Sequence, residues 1–236
     1  RMQLFVANEK LPTLTAAQKK KMEGKPVLFF VHGILSSTNG AFSDIHQDSS
    51  YFQRLCDKYD NNIIAYEHWT LGKDTNRNAS DLVKELPDGV ALDIICHSRG
   101  AGVVRSLLET PTLIAAMKKR GITVNKVCFV AGACEGSDLA TEDAVNRLFN
   151  VINKMSVLLG HGGIAGGLLT EIIKLILGGL QELPGTDAMD PGGDIVQALN
   201  KSTATLASHY LYIRANFDPN NTAVAAVDKQ LIDKII

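Results

Sequence analysis

The residues whose types and spacing could do chemistry are Cys96-His97-Ser98-Arg99-Gly100. They follow the apolar run Val90-Ala91-Leu92-Asp93-Ile94-Ile95 and open a segment, 101–109, whose apolar residues recur at helical spacing. A strand that turns sharply into a helix at a serine strains that serine's backbone, requires small residues two positions to either side, and projects Oγ above the sheet edge as a nucleophile. Cys96 and Gly100 are both small. An ordinary turn with a solvent-facing serine uses the same Ser-x-Gly, so the rest of the chain has to decide. Six histidines could serve as a base: His32, His46, His68, His97, His161 and His209. The four cysteines, Cys56, Cys96, Cys128 and Cys134, form no CxxC pair and have no metal-ligand spacing. The pattern implies no metal and no cofactor. Cys96 and Cys128 fall in apolar runs that suit reduced thiols, which favours a reducing, cytoplasmic setting.

The elements around the pentapeptide must come from a chain of 236 residues, long enough to bury a sizeable core. With 45% hydrophobic and 21% charged residues it has the balance of a globular protein. A net charge of -1 excludes an electrostatic nucleic-acid binder, and Lys19-Lys20-Lys21 and Lys118-Lys119-Arg120 read as solvated helix ends. Residues 2–6 run straight into polar residues and lack the apolar core of a secretory signal.

In chain order, residues 2–6 predict a short strand, Thr15 caps a helix, and Gly24-Lys25-Pro26 breaks it. Val27-Leu28-Phe29-Phe30-Val31 is a continuous apolar run of the kind buried on both faces of a parallel sheet. It ends in His32-Gly33-Ile34 and a small polar loop. A helix over 50–59, a strand over 62–68 and a helix over 78–86, stopped by Pro87-Asp88-Gly89, precede the pentapeptide, and another buried strand at 126–133 follows it. Strands alternating with helices at this spacing predict a parallel βαβ sheet, with any site at the carboxyl ends of its strands. Ser98 and the His32-Gly33 loop share that edge.

Beyond residue 140 the pattern changes. Residues 141–207 read as a helical cap or lid, apolar and rich in glycine at Gly160, Gly162, Gly163, Gly166 and Gly167, with a loop over 183–191 and a short helix over 192–199. A transmembrane span is not expected, because the apolar stretch 155–170 falls short of about 20 residues. A helical hairpin packed statically on the core would have the same composition. Residues 211–217 predict a strand and 221–236 a helix with one apolar face. The chain thus divides into 1–140, the first part of the core; 141–207, the cap; and 208–236, the core continued.

Val27–Val31 ending in His32-Gly33-Ile34, Tyr66 closing a strand, and Ile95-Cys96-His97-Ser98-Arg99-Gly100-Ala101 together resemble the α/β-hydrolase superfamily, in particular its lipase and serine-esterase branch. The similarity runs through residues 25–140, with looser echoes at 183–191 and 210–218; Cys96 stands where the commonest elbow has glycine. The resemblance implies an α/β fold, a mostly parallel sheet flanked by helices with a helical cap insertion. It implies acyl transfer in which Ser98 attacks a carbonyl and the backbone N–H groups of Ile34 and Arg99 hold the oxyanion, each donor worth about 3 kcal/mol. His32, Gly33, His97 and Gly100 would support the site: His32 positions the loop, Gly33 permits its geometry, and His97 points away from Oγ.

In this superfamily the acid and then the histidine follow the serine in the chain. Asp218, at the end of the 211–217 strand, holds the position where the family often puts the acid, although Asp218-Pro219 also suits a plain turn. No histidine follows it. His209 should lie on the order of 20 Å from Ser98, at the far end of its strand, and His68 or His161 would approach only by an unusual route. The expectation is that the histidine comes from a segment beyond residue 236 or from a partner chain. The function expected is a serine hydrolase of the esterase, lipase or thioesterase kind acting on a hydrophobic acyl or lipid-like substrate. The alternatives are a catalytically silent binding or regulatory module and a protein-interaction module of a larger assembly.

Overall fold

The computed structural model describes residues 1–7, 10–137 and 183–213. The expected cap through residue 182, His161, Asp218 and the helix expected over 221–236 lie outside these residues. Six strands form one sheet: β1 (Met2–Leu4), β2 (Pro26–Val31), β3 (Ile63–Tyr66), β4 (Ala91–His97), β5 (Thr123–Val130) and β6 (Ala207–Ile213). Their order is β1-β3-β2-β4-β5-β6, with β1 antiparallel to β3 and every other pair parallel. The helices are α1 (Ala16–Met22), α2 (Thr38–Phe42), α3 (Asp44–Gln47), α4 (Ser49–Lys58), α5 (Thr75–Glu85), α6 (Gly100–Glu109), α7 (Pro111–Lys119), α8 (Pro184–Asp187) and α9 (Asp194–Lys201).

The continuous apolar run of β2 has a direct cause. Side chains alternate across a strand, so Val27, Phe29 and Val31 enter one core with Leu82 of α5, Val103, Val104 and Leu107 of α6 and Met117 of α7. Leu28 and Phe30 enter a second core with Phe5, Phe42, Tyr59 and Ile63 on the opposite face. β4 alternates instead: Leu92, Ile94 and Cys96 are buried, while Asp93 lies half-buried on the other face and accepts a hydrogen bond from Tyr59 Oη at 2.7 Å.

The register aligns the carboxyl ends of the strands. Val31 pairs with Cys96, Cys96 with Phe129, His97 with Val130, and Val130 with Ile213. His32, Ser98 and Ala131 therefore emerge at one level of one edge.

Several boundaries differ from the sequence reading. β1 stops at Leu4 because Phe5 turns into the second core against Phe30, their ring centroids 4.6 Å apart. α5 starts at Thr75 because Asp74 caps it, accepting from the Arg77 N–H at 2.6 Å. Thr15 caps α1 as expected, within a reciprocal Thr15–Gln18 capping box. The loop expected at 183–191 contains the single helical turn α8, whose Pro184 stands at a first-turn position where its missing N–H costs nothing. β6 begins at Ala207, so His209 lies inside the strand rather than before it.

Ile94, 1% exposed on a central strand, has no room for its neighbours to collapse around a smaller side chain. Ile94→Ala is expected to lower stability by about 2–5 kcal/mol, read as a lower urea midpoint with an unchanged m-value.

Candidate functional site

Ser98 has φ +51°. A side chain in the left-handed region costs about 1–2 kcal/mol, and hydrogen bonds on both sides hold it there. The Ser98 N–H donates to the Val130 carbonyl at 3.1 Å, and the Ser98 carbonyl accepts from Ala101 at 3.0 Å and Ala133 at 3.2 Å. Gly100 lets the turn press against β2. A Cβ there would stand 2.5 Å from the Val31 oxygen and 2.7 Å from the His32 oxygen, so no side chain fits. Gly33 plays the matching part on the facing loop: its Cβ would lie 2.8 Å from Ser98 Cβ and 3.2 Å from His97 Nδ1. The two motifs thus meet at van der Waals contact, with the His97 ring on the Gly33 side of the elbow. Cys96 is fully buried, and burial drives its thiol pKa well up, so it serves packing.

The loop after β2 is pinned to the segment after β3. Glu67 Oε1 lies 3.2 Å from His32 Nε2, and Glu67 Oε2 accepts from the Thr38 N–H at 3.1 Å. The Leu35 N–H donates to Thr70 Oγ1 at 3.2 Å. His32, fully buried, places Nδ1 at 3.0 Å from the Gly33 carbonyl. That oxygen can only accept, so the proton sits on Nδ1. The His68 N–H is 3.4 Å from His32 Nε2, and the Glu67 carboxylate lies nearer to the same nitrogen, at 3.2 Å. Burial works to raise the Glu67 pKa, but hydrogen bonds from His32 and Thr38 outweigh it and bring the carboxyl down to about 2. Among the described residues, no hydrogen bond engages the N–H of Ile34 or of Arg99.

The side chain of Arg99 was not foreseen; the sequence reading used only its N–H. It is 0% exposed, with Nε donating to the Gly185 carbonyl at 2.9 Å and Nη2 to the Lys73 carbonyl at 2.6 Å. Burial without a carboxylate partner brings the guanidinium pKa down to about 10. Gly185 is pressed so closely on the Thr70–Leu71 backbone that a Cβ would collide with the Thr70 carbonyl, and its N–H donates to the Leu71 oxygen at 2.8 Å. The short segment 67–74 therefore contacts the His32 loop, the elbow and α8. Glu67 also escaped the sequence reading. The available signal was its place as the first residue after a strand, on the edge that carries the site.

The described histidines are each held elsewhere. His46 packs against Phe5 and Phe52. His68 stacks between Tyr66 and His32, with centroids 5.3 and 4.2 Å away, and burial, then the neighbouring His32, lower its pKa to about 3. His209 pairs with Lys126, four residues before Ile213 and two strands from β4. Lys126 pairs in turn with Asp93, five residues before Ser98, which places His209 roughly 19 Å from Ser98 at ~3.3 Å per residue and ~4.8 Å per strand.

A family model described as a domain of unknown function, DUF7379, matches residues 2–236. The chain belongs to this family. No curated protein sequence matches it. Among solved structures it is similar to the phospholipase PlaB from Legionella pneumophila, at 16% identity and a TM-score of 0.44 over 74% of this chain and 35% of that one. It is also similar to lipase 1 from Pelosinus fermentans, at 15% identity and a TM-score of 0.40 over 77% of this chain and 65% of that one. A metagenomic carboxyl esterase, MGS0156, shares 19% identity at a TM-score of 0.42, over 98% of this chain and 61% of that one. The chain thus spans about a third of the length of the phospholipase. The sheet order and the strand-elbow-helix at Ser98 give the chain the α/β-hydrolase fold, and the reading of the site below rests on its own geometry. Among the described residues no helix is long and apolar enough to cross a membrane, and no cluster of metal-ligating side chains occurs.

Replacing Ser98 with glycine removes the left-handed strain, so Ser98→Gly is expected to raise stability by about 0.5–1 kcal/mol, read from urea midpoints. Glu67, with its folded pKa depressed from 4.5 to about 2, contributes stability that is fully present above pH 4.5 and lost as pH falls toward 2. The margin by which the wild type exceeds Glu67→Gln should therefore close across that window when denaturant midpoints are compared pH by pH.

Proposed function

We propose that the chain is a serine hydrolase that cleaves an acyl ester or thioester through a Ser98 acyl-enzyme. The observation that carries this reading is the left-handed Ser98 at the carboxyl edge of the sheet, facing Gly33 with the Ile34 and Arg99 N–H groups unengaged. Ser98 Oγ attacks the acyl carbon and passes its proton to a base. The tetrahedral oxyanion takes hydrogen bonds from Ile34 and Arg99, the alcohol or thiol leaves with a proton, and water releases the acid. Donors fixed before reaction cost no reorganisation as charge develops, which is why backbone N–H groups on pinned loops suit the task. Asp218 is the proposed acid. The base is a histidine other than His32, His46 and His68, whose rings are engaged by the contacts described above, and His209, which lies in β6 far from Ser98.

Leu35, 69% exposed, stands on the loop after β2 that faces the elbow, and Trp69, 70% exposed, on the segment after β3, one strand further along the sheet. Leu35 has φ +50°, a strained conformation for a bulky residue, and its N–H is tied to Thr70. An exposed apolar side chain on the loop that faces the elbow supports an apolar acyl group as the part of the substrate held beside Ser98. A second reading, a catalytically silent binding module, is favoured by the placement of those four histidines.

A fluorophosphonate probe decides between them. Ser98 should be labelled in the wild type and not in Ser98→Ala, with medium-chain p-nitrophenyl esters hydrolysed faster than acetate. A folded protein that takes no label, alone or with the segment or partner that brings the histidine, would establish the silent module.

A further inference from the structure

One polar network in the described structure, built around a buried histidine, is not explained by the nucleophile itself. Glu67, His32 and the Gly33 carbonyl form a chain of contacts at 3.2 and 3.0 Å, with Thr38 anchoring the other carboxylate oxygen at 3.1 Å. It ends on one particular peptide. The Gly33 carbonyl and the Ile34 N–H belong to the same planar unit, and every peptide bond described is trans. In a trans peptide the carbonyl and the N–H point to opposite sides. Fixing the carbonyl toward His32 therefore fixes the N–H away from it.

We infer that Glu67 is a positioning residue for the oxyanion site: it orients His32, His32 holds the Gly33 carbonyl, and the Ile34 N–H is thereby aimed. This rests on the acyl-transfer reading of Ser98. Among the described residues no other hydrogen bond engages the Gly33 carbonyl. Gly33 has no side chain to lock its rotation, because a Cβ would strike Ser98. The loop needs glycine for its close approach to the elbow and so gives up the steric restraint that a side chain would impose. A hydrogen bond to its carbonyl restores it. His32 cannot choose another orientation easily: it is fully buried, and its ring is stacked on His68 at 4.2 Å. Glu67 spans two parts of the loop, the His32 ring at its start and the Thr38 N–H at the start of α2, so the loop is gripped at both ends. Its side chain is 28% exposed, and water can replace it when it is cut back.

The carboxamide of Glu67→Gln matches both anchors, accepting from Thr38 while its NH2 donates to a His32 ring that keeps its proton on Nδ1. Glu67→Ala matches neither. The two variants therefore separate positioning from mere presence of a charge. On a Ser98→Ala background, where no chemistry intervenes, Glu67→Ala should shift the Ile34 backbone 1H–15N resonance and leave that of Arg99 in place; Glu67→Gln should largely preserve both. With Ser98 intact, fluorophosphonate labelling should slow by about 10- to 100-fold in Glu67→Ala and by no more than about threefold in Glu67→Gln, a loosened donor costing less than the loss of one. An Ile34 resonance that stays in place in Glu67→Ala, or a labelling rate that does not change, overturns the inference. If the Ile34 resonance moves but the wild type takes no label, the acyl-transfer reading and the catalytic use of the peptide fall, while its control by Glu67 stands. A measurement on the wild type does not depend on any variant folding: His32 Nδ1 should carry a slowly exchanging proton, and an unprotonated Nδ1 overturns the inference.

Discussion

The left-handed backbone of Ser98 is the constraint from which the rest of the structure follows. Holding a serine at φ +51° requires that its N–H and carbonyl be satisfied by β5 and its following loop, that Gly100 let the helix start press on the Val31 and His32 carbonyls, and that Gly33 clear the serine side chain. The requirements fall on β5 and on the end of β2, the two strands that flank β4. The central strands β2, β4 and β5 must end at one level for all three to be met, and their register does so. Local strain of about 1–2 kcal/mol is thus maintained by a sheet whose buried side chains outweigh it many times over.

Segment 67–74 transmits that order to the surrounding loops. Through Glu67 and Thr70 it secures the loop after β2; through the Lys73 carbonyl it receives the Arg99 guanidinium; through the Thr70–Leu71 backbone it seats Gly185. Arg99 links the same parts from the elbow side. A buried guanidinium is costly to desolvate, and this one is answered by two carbonyl dipoles rather than a carboxylate. Burial lowers its proton affinity, and the charge of Asp74 opposes that only in part. The arrangement fastens residues far apart in sequence, 73, 99 and 185, without introducing a negative charge where an oxyanion is proposed to form.

Exposure is distributed unevenly around this frame. The sheet is buried on both faces at β2 and β3, yet Leu35 and Trp69 project from the segments that follow those two strands. β6, by contrast, shows Leu211, Tyr212 and Ile213 at 59%, 54% and 50% exposed. The apolar surface at the rim accompanies loops that are hydrogen-bonded to one another, through Leu35 and Thr70, so it is presented by restrained backbone.

The sequence by itself determined the alternation of strands and helices, the burial of both faces of β2, the elbow at Ser98 and the facing His32-Gly33-Ile34 loop. These are local properties: periodicity, turn chemistry and small residues at fixed offsets report backbone conformation directly. It also located the capping Thr15 but misjudged the starts of α5 and β6, because a helix cap at Asp74 and the pairing of Ala207 with Val124 decide those ends. The tertiary structure alone decided what supports the site. Glu67, Thr70 and the Arg99 side chain act through partners 26 to 86 residues away, and no pattern of neighbouring residues encodes such contacts. His32 shows the boundary between the two. Its place beside Gly33 was legible, but its orientation by Glu67 depends on β2 and β3 lying side by side, which only the folded sheet brings about.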